Sequence, residues 1–257
     1  MRTRVLRDGP AAAALVDALA PIQGSVRDWL LGSGRVLKND SHSVVVLLSL
    51  AGEERYIKLF VSKSSWQGVM FRFSLSRAVR SCDFARRLRD AGLAVPQAQG
   101  CLLVPEGALL ITEAVPGDDL KSLWQGDSGR ARDWAVIMQR TANTVAALHR
   151  AGFAHGDCKW ANLVMTDERC VLVDLDGVRK AAWGSRQQAA DIARFTLNAE
   201  ELSLPMKYYD AFVDSYCLCT GGKRSDVTGA ALPVLLNLRR RHASKYGHRG
   251  HPLLGVN

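Results

Sequence analysis

The 257-residue chain lacks a long apolar run: nothing in it approaches the roughly 20 residues needed to cross a bilayer. It also lacks a cysteine framework. Cys82, Cys101, Cys158, Cys170, Cys217 and Cys219 are scattered without even spacing. In a chain of this size that argues for reduced thiols in the cytoplasm rather than disulfide staples. There is no internal repeat and no low-complexity segment. No RNA-binding or helix-turn-helix signature is present, so nucleic acid ranks last among partners. The N-terminus MRTRVLRDGPAAAALVDALAP is basic and then alanine-rich, but Asp17 interrupts an already short apolar stretch. That argues against a signal or transit peptide. These absences predict a soluble cytoplasmic protein, peripheral to a membrane at most.

What is present is globular. Hydrophobic residues make up 47%, and the length suits one large domain or two small lobes with a real core. The net charge is +9, with arginines clustered from Arg77 to Arg89 and from Arg239 through Arg249. Solvated helix faces account for any one cluster. The surplus as a whole points to an anionic neighbour: a phosphorylated substrate, an anionic membrane surface or nucleic acid.

The front half reads as strands. RVLK (35–38), the β-branched run SVVVLLSL (43–50) and ERYIKLF (54–60) follow one another, the last two joined at Ala51-Gly52-Glu53. SRAVRSCDFARRLRDAG (76–92) has helical spacing at Val79, Phe84 and Leu88 and stops at Gly92. Strands at 100–104 and 108–112 come next. After Glu113-Ala114-Val115-Pro116-Gly117 the pattern turns helical, with Trp134, Ile137, Thr141, Val145 and Leu148 on one face of 131–151. Strands at 163–166 and 170–174 frame a turn at Asp167-Glu168, and helices are predicted at 185–199, 205–219 and 229–245. A β-rich region 1–112, a Pro-Gly connector and a helical region 113–257 predict an α+β chain of two lobes with a cleft between them.

The chemistry gathers at HGDCKWANLVMTDERCVLVDLDGV, residues 155–178. Residues 155–162 form a loop between a helix and a strand, a rigid setting for reactive side chains. A short hairpin brings Asn162 and Asp174 side by side, an amide oxygen and a carboxylate suited to Mg²⁺ bound through triphosphate. Asp157 is then free to take a proton from a hydroxyl, and Lys159 to neutralise a transferring phosphoryl group.

His155-Gly156-Asp157-Cys158-Lys159-Trp160-Ala161-Asn162 resembles the catalytic loop of the protein-kinase-like superfamily, and VDLDG (173–177) resembles its metal-binding segment. The resemblance covers roughly residues 35–200. It implies a two-lobed fold, with a β-rich N-lobe and a mainly helical C-lobe. It further implies ATP with Mg²⁺ on Asn162 and Asp174, Asp157 as base, and Lys58 of YIKLF on the α- and β-phosphates. Adenine is expected on the backbone of TEAVPG (112–117), with Glu113 and Val115 as contacts. Asp191 matches a helix aspartate that braces the loop, and His155 fixes it. HGD in place of HRD, and the short stretch from Gly177 to Asp191, are shared by small-molecule kinases. The lysine-bearing strand and the arginine-rich helix ending AGLAVPQA are similar to bacterial lipopolysaccharide core kinases, which act on heptose or Kdo (3-deoxy-octulosonate). This implies phosphorylation of a sugar hydroxyl on an anionic lipid-linked saccharide at the cytoplasmic face of the inner membrane.

Three features depart from the superfamily pattern. There is no G-x-G-x-x-G; the first hairpin turn is KNDSHS (38–43), where Asn39, Ser41 and Ser43 offer hydrogen bonds to phosphate. Helical register places Ser81 where an acid partner for Lys58 is expected, with Asp83 rotated off that face. Asp176 stands at the usual glycine. The first two departures would suit a nucleotide-binding protein without catalysis, whereas the full Asp157, Asn162 and Asp174 set favours an enzyme. A kinase for a protein or another small molecule is the remaining alternative. The missing activation segment disfavours the former, and the basic surface disfavours cationic antibiotics.

Other residues carry bland readings. Cys158 lacks a triad of its own and reads as packing, because the family has an apolar residue there. Cys217 and Cys219 are too tightly spaced for a zinc knuckle, and a long predicted helix separates them from His248 and His251. GGKRS (221–225) lacks the first glycine of a phosphate-binding loop. Trp124, Trp134 and Trp183 read as packing, with Trp183 alone placed where an acceptor would pass.

Overall fold

The computed structural model describes residues 3–62, 76–127 and 131–255. The front region 1–112 therefore includes residues 63–75, which lie outside the described residues. Two compact units form: Met1–Asp90 with Val95–Val115, and Ala91–Ala94 with Pro116–Asn257.

The first unit is built on an antiparallel sheet of β1 (Arg4–Arg7), β2 (Arg35–Asn39), β3 (Ser43–Leu50), β4 (Glu53–Val61), β5 (Ala98–Val104) and β6 (Gly107–Glu113), in the order β1-β5-β6-β4-β3-β2. The β3–β4 hairpin turns on Ala51 and Gly52, with φ of 53° and 82°. Two left-handed residues give the turn a twist that matches the strands, which is why glycine sits there. Period-two alternation then sorts the side chains. Val44, Val46, Leu48, Ile57, Leu59, Leu102, Leu109 and Ile111 form one buried face.

That face is covered by two helices absent from the sequence reading, α1 (Ala12–Leu19) and α2 (Val26–Ser33). Leu15, Leu19 and Leu30 are fully buried against the sheet, on the order of 2 kcal/mol each. Both helices have only 8 residues, too few for a convincing period, so packing rather than propensity holds them. Cross-strand partners Val45, Lys58, Leu110 and Cys101 line the opposite face. Helix α3 (Arg77–Asp90) packs on β5 and β6.

The second unit holds α4 (Leu120–Gly126), α5 (Trp134–Arg150), α6 (Arg186–Glu201), α7 (Met206–Thr220) and α8 (Arg224–Tyr246). Two small ladders accompany them: β7 (Asp118–Asp119), β9 (Leu163–Met165) and β10 (Cys170–Leu172), and β8 (Phe153–Ala154) with β11 (Arg179–Lys180). Helix α5 buries Trp134, Met138, Thr141, Val145 and Leu148, close to the face read from its spacing. Trp124 and Trp134 meet edge-on at 4.7 Å, as packing residues. Strand β10 ends at Leu172 rather than 174, because Asp174 adopts φ 58°, ψ 63° and cannot continue a ladder. Among the described residues no helix is long and apolar enough to cross a membrane.

Candidate functional site

In the second unit, the loop after β8 is fixed from beneath. The Asp191 carboxylate, fully buried on α6, accepts the backbone N–H of His155 at 2.6 Å and of Gly156 at 2.9 Å. His149 Nε2 lies 3.4 Å from the same carboxylate, and its Nδ1 is 2.7 Å from the Tyr216 hydroxyl. His155 is itself buried, with Nε2 3.0 Å from the Val173 carbonyl, and its Nδ1 accepts the Asp157 N–H at 3.3 Å. It ties the loop to the segment beyond β10, a structural role. Asn198 Oδ1 accepts the Trp160 N–H at 2.9 Å and holds the loop's far end.

Pinned in this way, the loop presents Asp157. Its Oδ2 lies 2.8 Å from Lys159 Nζ and accepts from Asn162 Nδ2 at 3.1 Å. Asn162 Nδ2 also donates to the Asp157 carbonyl at 2.9 Å. With both contacts made through nitrogen, the amide oxygen of the buried Asn162 is left as its acceptor end. The Val173 N–H donates to the Asn162 carbonyl at 3.0 Å, and Asp174 follows directly. An amide oxygen and a carboxylate are a donor set that fits Mg²⁺, which takes one or two protein oxygens beside phosphate.

The loop and the 174–177 segment are in backbone contact. A Cβ on Gly156, at φ 82°, would collide with the Gly177 carbonyl, and one on Gly177 would lie 2.8 Å from the His155 carbonyl. Burial pushes the Cys158 thiol well above its ordinary value, with Asp191 adding to the effect. Such a thiol stays protonated and packs rather than attacks. Cys217, Cys219, His248 and His251 do not assemble: no group of three or more His, Cys, Asp or Glu fit to hold a metal occurs among the described residues.

In the first unit, Lys58 is buried on β4 with Nζ 4.8 Å from the Phe60 ring centroid. Asp83 is held in a bidentate pair by Arg7 at 2.7 and 2.9 Å, and Ser81 is buried. The Glu113 carboxylate accepts the Gln97 N–H at 3.0 Å and pairs with Arg89 at 3.4 Å. Among the described residues the backbone of Ala114 and Val115 makes no hydrogen bond. The turn at 40–43 closes on itself, because Asp40 Oδ1 accepts the N–H of both His42 and Ser43 at 2.8 Å. Those bonds and Lys38 hold the Asp40 carboxyl far below the usual carboxylate range. Ser41 Oγ lies 3.0 Å from His42 Nδ1, and Ser43 is buried.

Several supports were not read from the sequence: Asn198, the His149–Tyr216 pair, and Gln188, whose amide donates to the His149 carbonyl at 2.8 Å. Asn198, Tyr216 and Gln188 lie tens of residues from the loop, and no local pattern marks them or His149.

The loop thus carries a carboxylate held by a lysine and an asparagine, and the segment beyond β10 carries Asp174 in a left-handed conformation. A family model described as "Lipopolysaccharide kinase (Kdo/WaaP) family" matches residues 40–216, more than half of the chain. The chain belongs to that family. It is thus a kinase, a transferase of lipopolysaccharide biosynthesis, and kinase membership implies use of a nucleotide. No individual curated protein matches it.

Proposed function

We propose that this chain is an ATP-dependent kinase that phosphorylates a sugar hydroxyl, of heptose or Kdo, in the lipopolysaccharide inner core. The observation that carries the reading is Asp157 held between Lys159 and Asn162 in a loop pinned by Asp191. Adenine lies on the backbone of residues 113–115, with the phosphates at Lys58 and near Ser41 and Ser43. The fold in this reading is two-lobed and protein-kinase-like, divided at 112 and 113. Mg²⁺, held by Asn162 and Asp174, supplies charge neutralisation on phosphate oxygens.

Asp157 accepts the hydroxyl proton as the sugar oxygen bonds to the terminal phosphorus and the bond to the ADP leaving group breaks. Lys159 offsets negative charge on the phosphoryl oxygens, and the half-exposed Asp157 then releases its proton to solvent. The acceptor is an anionic lipid-linked saccharide, and the basic surface suits peripheral contact with the inner face of the inner membrane.

The direct test is Asp157→Ala. Phosphoryl transfer is expected to fall by about 100-fold or more while ATP affinity holds. Unchanged turnover would remove Asp157 as the base. A non-catalytic nucleotide-binding protein is the second reading, favoured by Asp40, which occupies the amides of the turn at 40–43. Nucleotide binding with no transfer to any core saccharide would select it.

A further inference from the structure

From Gly177 to Ala190 the chain holds no acidic residue, while Arg179, Lys180 and Arg186 are all exposed. None of the three pairs with a carboxylate among the described residues, whereas Arg7, Arg224 and Arg239 are each held by an acid. A run of unpaired cations is ordinarily a solvated face. This one is placed and rigid. Arg179 and Lys180 pair with Ala154 and Phe153. The Ala181 N–H donates to the Gly152 carbonyl at 2.8 Å, and the Gly184 N–H to Gln188 Oε1 at 3.0 Å.

Two side chains of the segment stand out. Arg179 Nε donates to the Gly177 carbonyl at 3.2 Å. Its Nη2 would lie 3.1 Å from a Cβ on Gly156, so the guanidinium sits over the residue that precedes Asp157. Lys159 is already committed to Asp157 at 2.8 Å. Arg179 is therefore a held cation next to the proposed base, with no carboxylate partner among the described residues. Trp183 is 50% exposed. Its inner face stacks on Tyr216 at 6.5 Å, and an aromatic column continues through Phe212 to Phe195 at 6.4 and 3.8 Å. That leaves a rigid ring with one wet face.

We propose that residues 179–186 form the acceptor subsite and that it takes an acidic saccharide. Arg179 holds the carboxylate of a sugar acid whose hydroxyl faces Asp157, and Trp183 offers its outer face to a sugar ring. This deepens the kinase reading and rests on Asp157 as the base. A guanidinium can grip a carboxylate through two parallel hydrogen bonds, whereas a neutral sugar gives it no charge to offset.

The test uses the full chain and two probes, a Kdo-terminated core oligosaccharide and the same compound with its carboxylate reduced to an alcohol. Calorimetry gives their affinities, and phosphoryl transfer gives KM and kcat. Arg179→Ala is expected to weaken the acidic probe about tenfold, chiefly in KM, and to leave the reduced probe and the KM for ATP unchanged. Arg179→Lys should recover part of the loss, and unaltered melting and ATP affinity show that both variants fold. Trp183→Ala should weaken both probes alike. Equal binding of the two probes by the wild type, no binding of the acidic probe, or no effect of Arg179→Ala would each overturn the subsite. If the binding difference persists without any transfer, the subsite stands and the kinase reading falls.

Discussion

Asp191 and His155 meet 36 positions apart in sequence, at 2.6 Å, through a fully buried carboxylate and a backbone N–H. The partner bond to Gly156 makes the carboxylate a two-point clamp on the loop that carries Asp157. Asp191→Ala leaves both amides without an acceptor, each costing about 1–3 kcal/mol. A combined loss of roughly 3 kcal/mol lowers Tm by about 6–12 °C in a chain of this size. Transfer should fall about 100-fold, because a loop shift near 1 Å misaligns the proposed base. Asp191→Asn keeps one oxygen acceptor and should lie between. An Asp191→Ala protein that melts like the wild type would show the clamp to be unimportant.

Gly156 and Gly152 share a φ of 82°, but only Gly156 faces backbone where a side chain would go. Alanine at Gly152 meets nothing within 4 Å and bears only the left-handed strain, about 1–2 kcal/mol. At Gly156 it must also push the Gly177 carbonyl, and with it the segment holding Asp174. Gly152→Ala should thus keep kcat within about threefold, and Gly156→Ala should lose about 100-fold at similar secondary structure by circular dichroism. Equal kcat for the two variants would mean that loop and segment move independently.

The buried thiols set an alkaline limit. Burial pushes Cys170 up to about 12 from an ordinary value of 9.0 and raises Cys101 and Cys158 as well. Below pH 9 both folded and unfolded thiols are protonated, so their contribution is fully present. Above it the unfolded chain gives up protons that the folded chain retains, and stability falls as pH rises from about 9 towards 12. Denaturant midpoints should therefore drop across that range, and less so in a Cys101→Ala, Cys170→Ala variant after correction for its lower baseline. At pH 8 a thiol reagent should label only the half-buried Cys217 and Cys219. Rapid labelling of Cys158 in the native protein would contradict its burial.

The extent to which the site was legible follows from how local its signals are. Asp157, Lys159 and Asn162 fall within six positions, and the hairpin that returns to Asp174 is short, so spacing alone brings them together. Lys58 is singled out by the resemblance of YIKLF to a lysine-bearing strand; in the sheet, Ile57 and Leu59 lie on the buried face and Lys58 falls opposite. Helices α1 and α2 were not legible, since 8-residue helices carry little period and exist here because the sheet buries them. Asp174 was assigned to a strand by the apolar Val171-Leu172-Val173 before it, and only the backbone shows the left-handed break. The closeness of Arg179 to Gly156 has no local sequence signal, because the two are distant in the chain and meet only through the β8–β11 pair.

The C-terminal strap has its own lock. Glu200, buried on α6, is gripped by Arg239 of α8 at 2.8 and 2.5 Å and accepts the Leu253 N–H at 2.9 Å. Arg239 also donates to the Leu254 carbonyl at 2.7 Å, and a Cβ on Gly250 would collide with the Glu200 carbonyl. Arg239→Met removes the cation and leaves a buried carboxylate unpaired, a loss of about 3 kcal/mol or more. Tm should drop by about 6–12 °C, and Leu253 should come loose, which limited proteolysis after residue 246 would detect. Glu200→Gln with Arg239→Met removes the charge as well and should regain much of the stability while the strap stays less protected. If the single variant is as stable as the wild type, the pair does not hold the strap, and the apolar seat of Leu253 does.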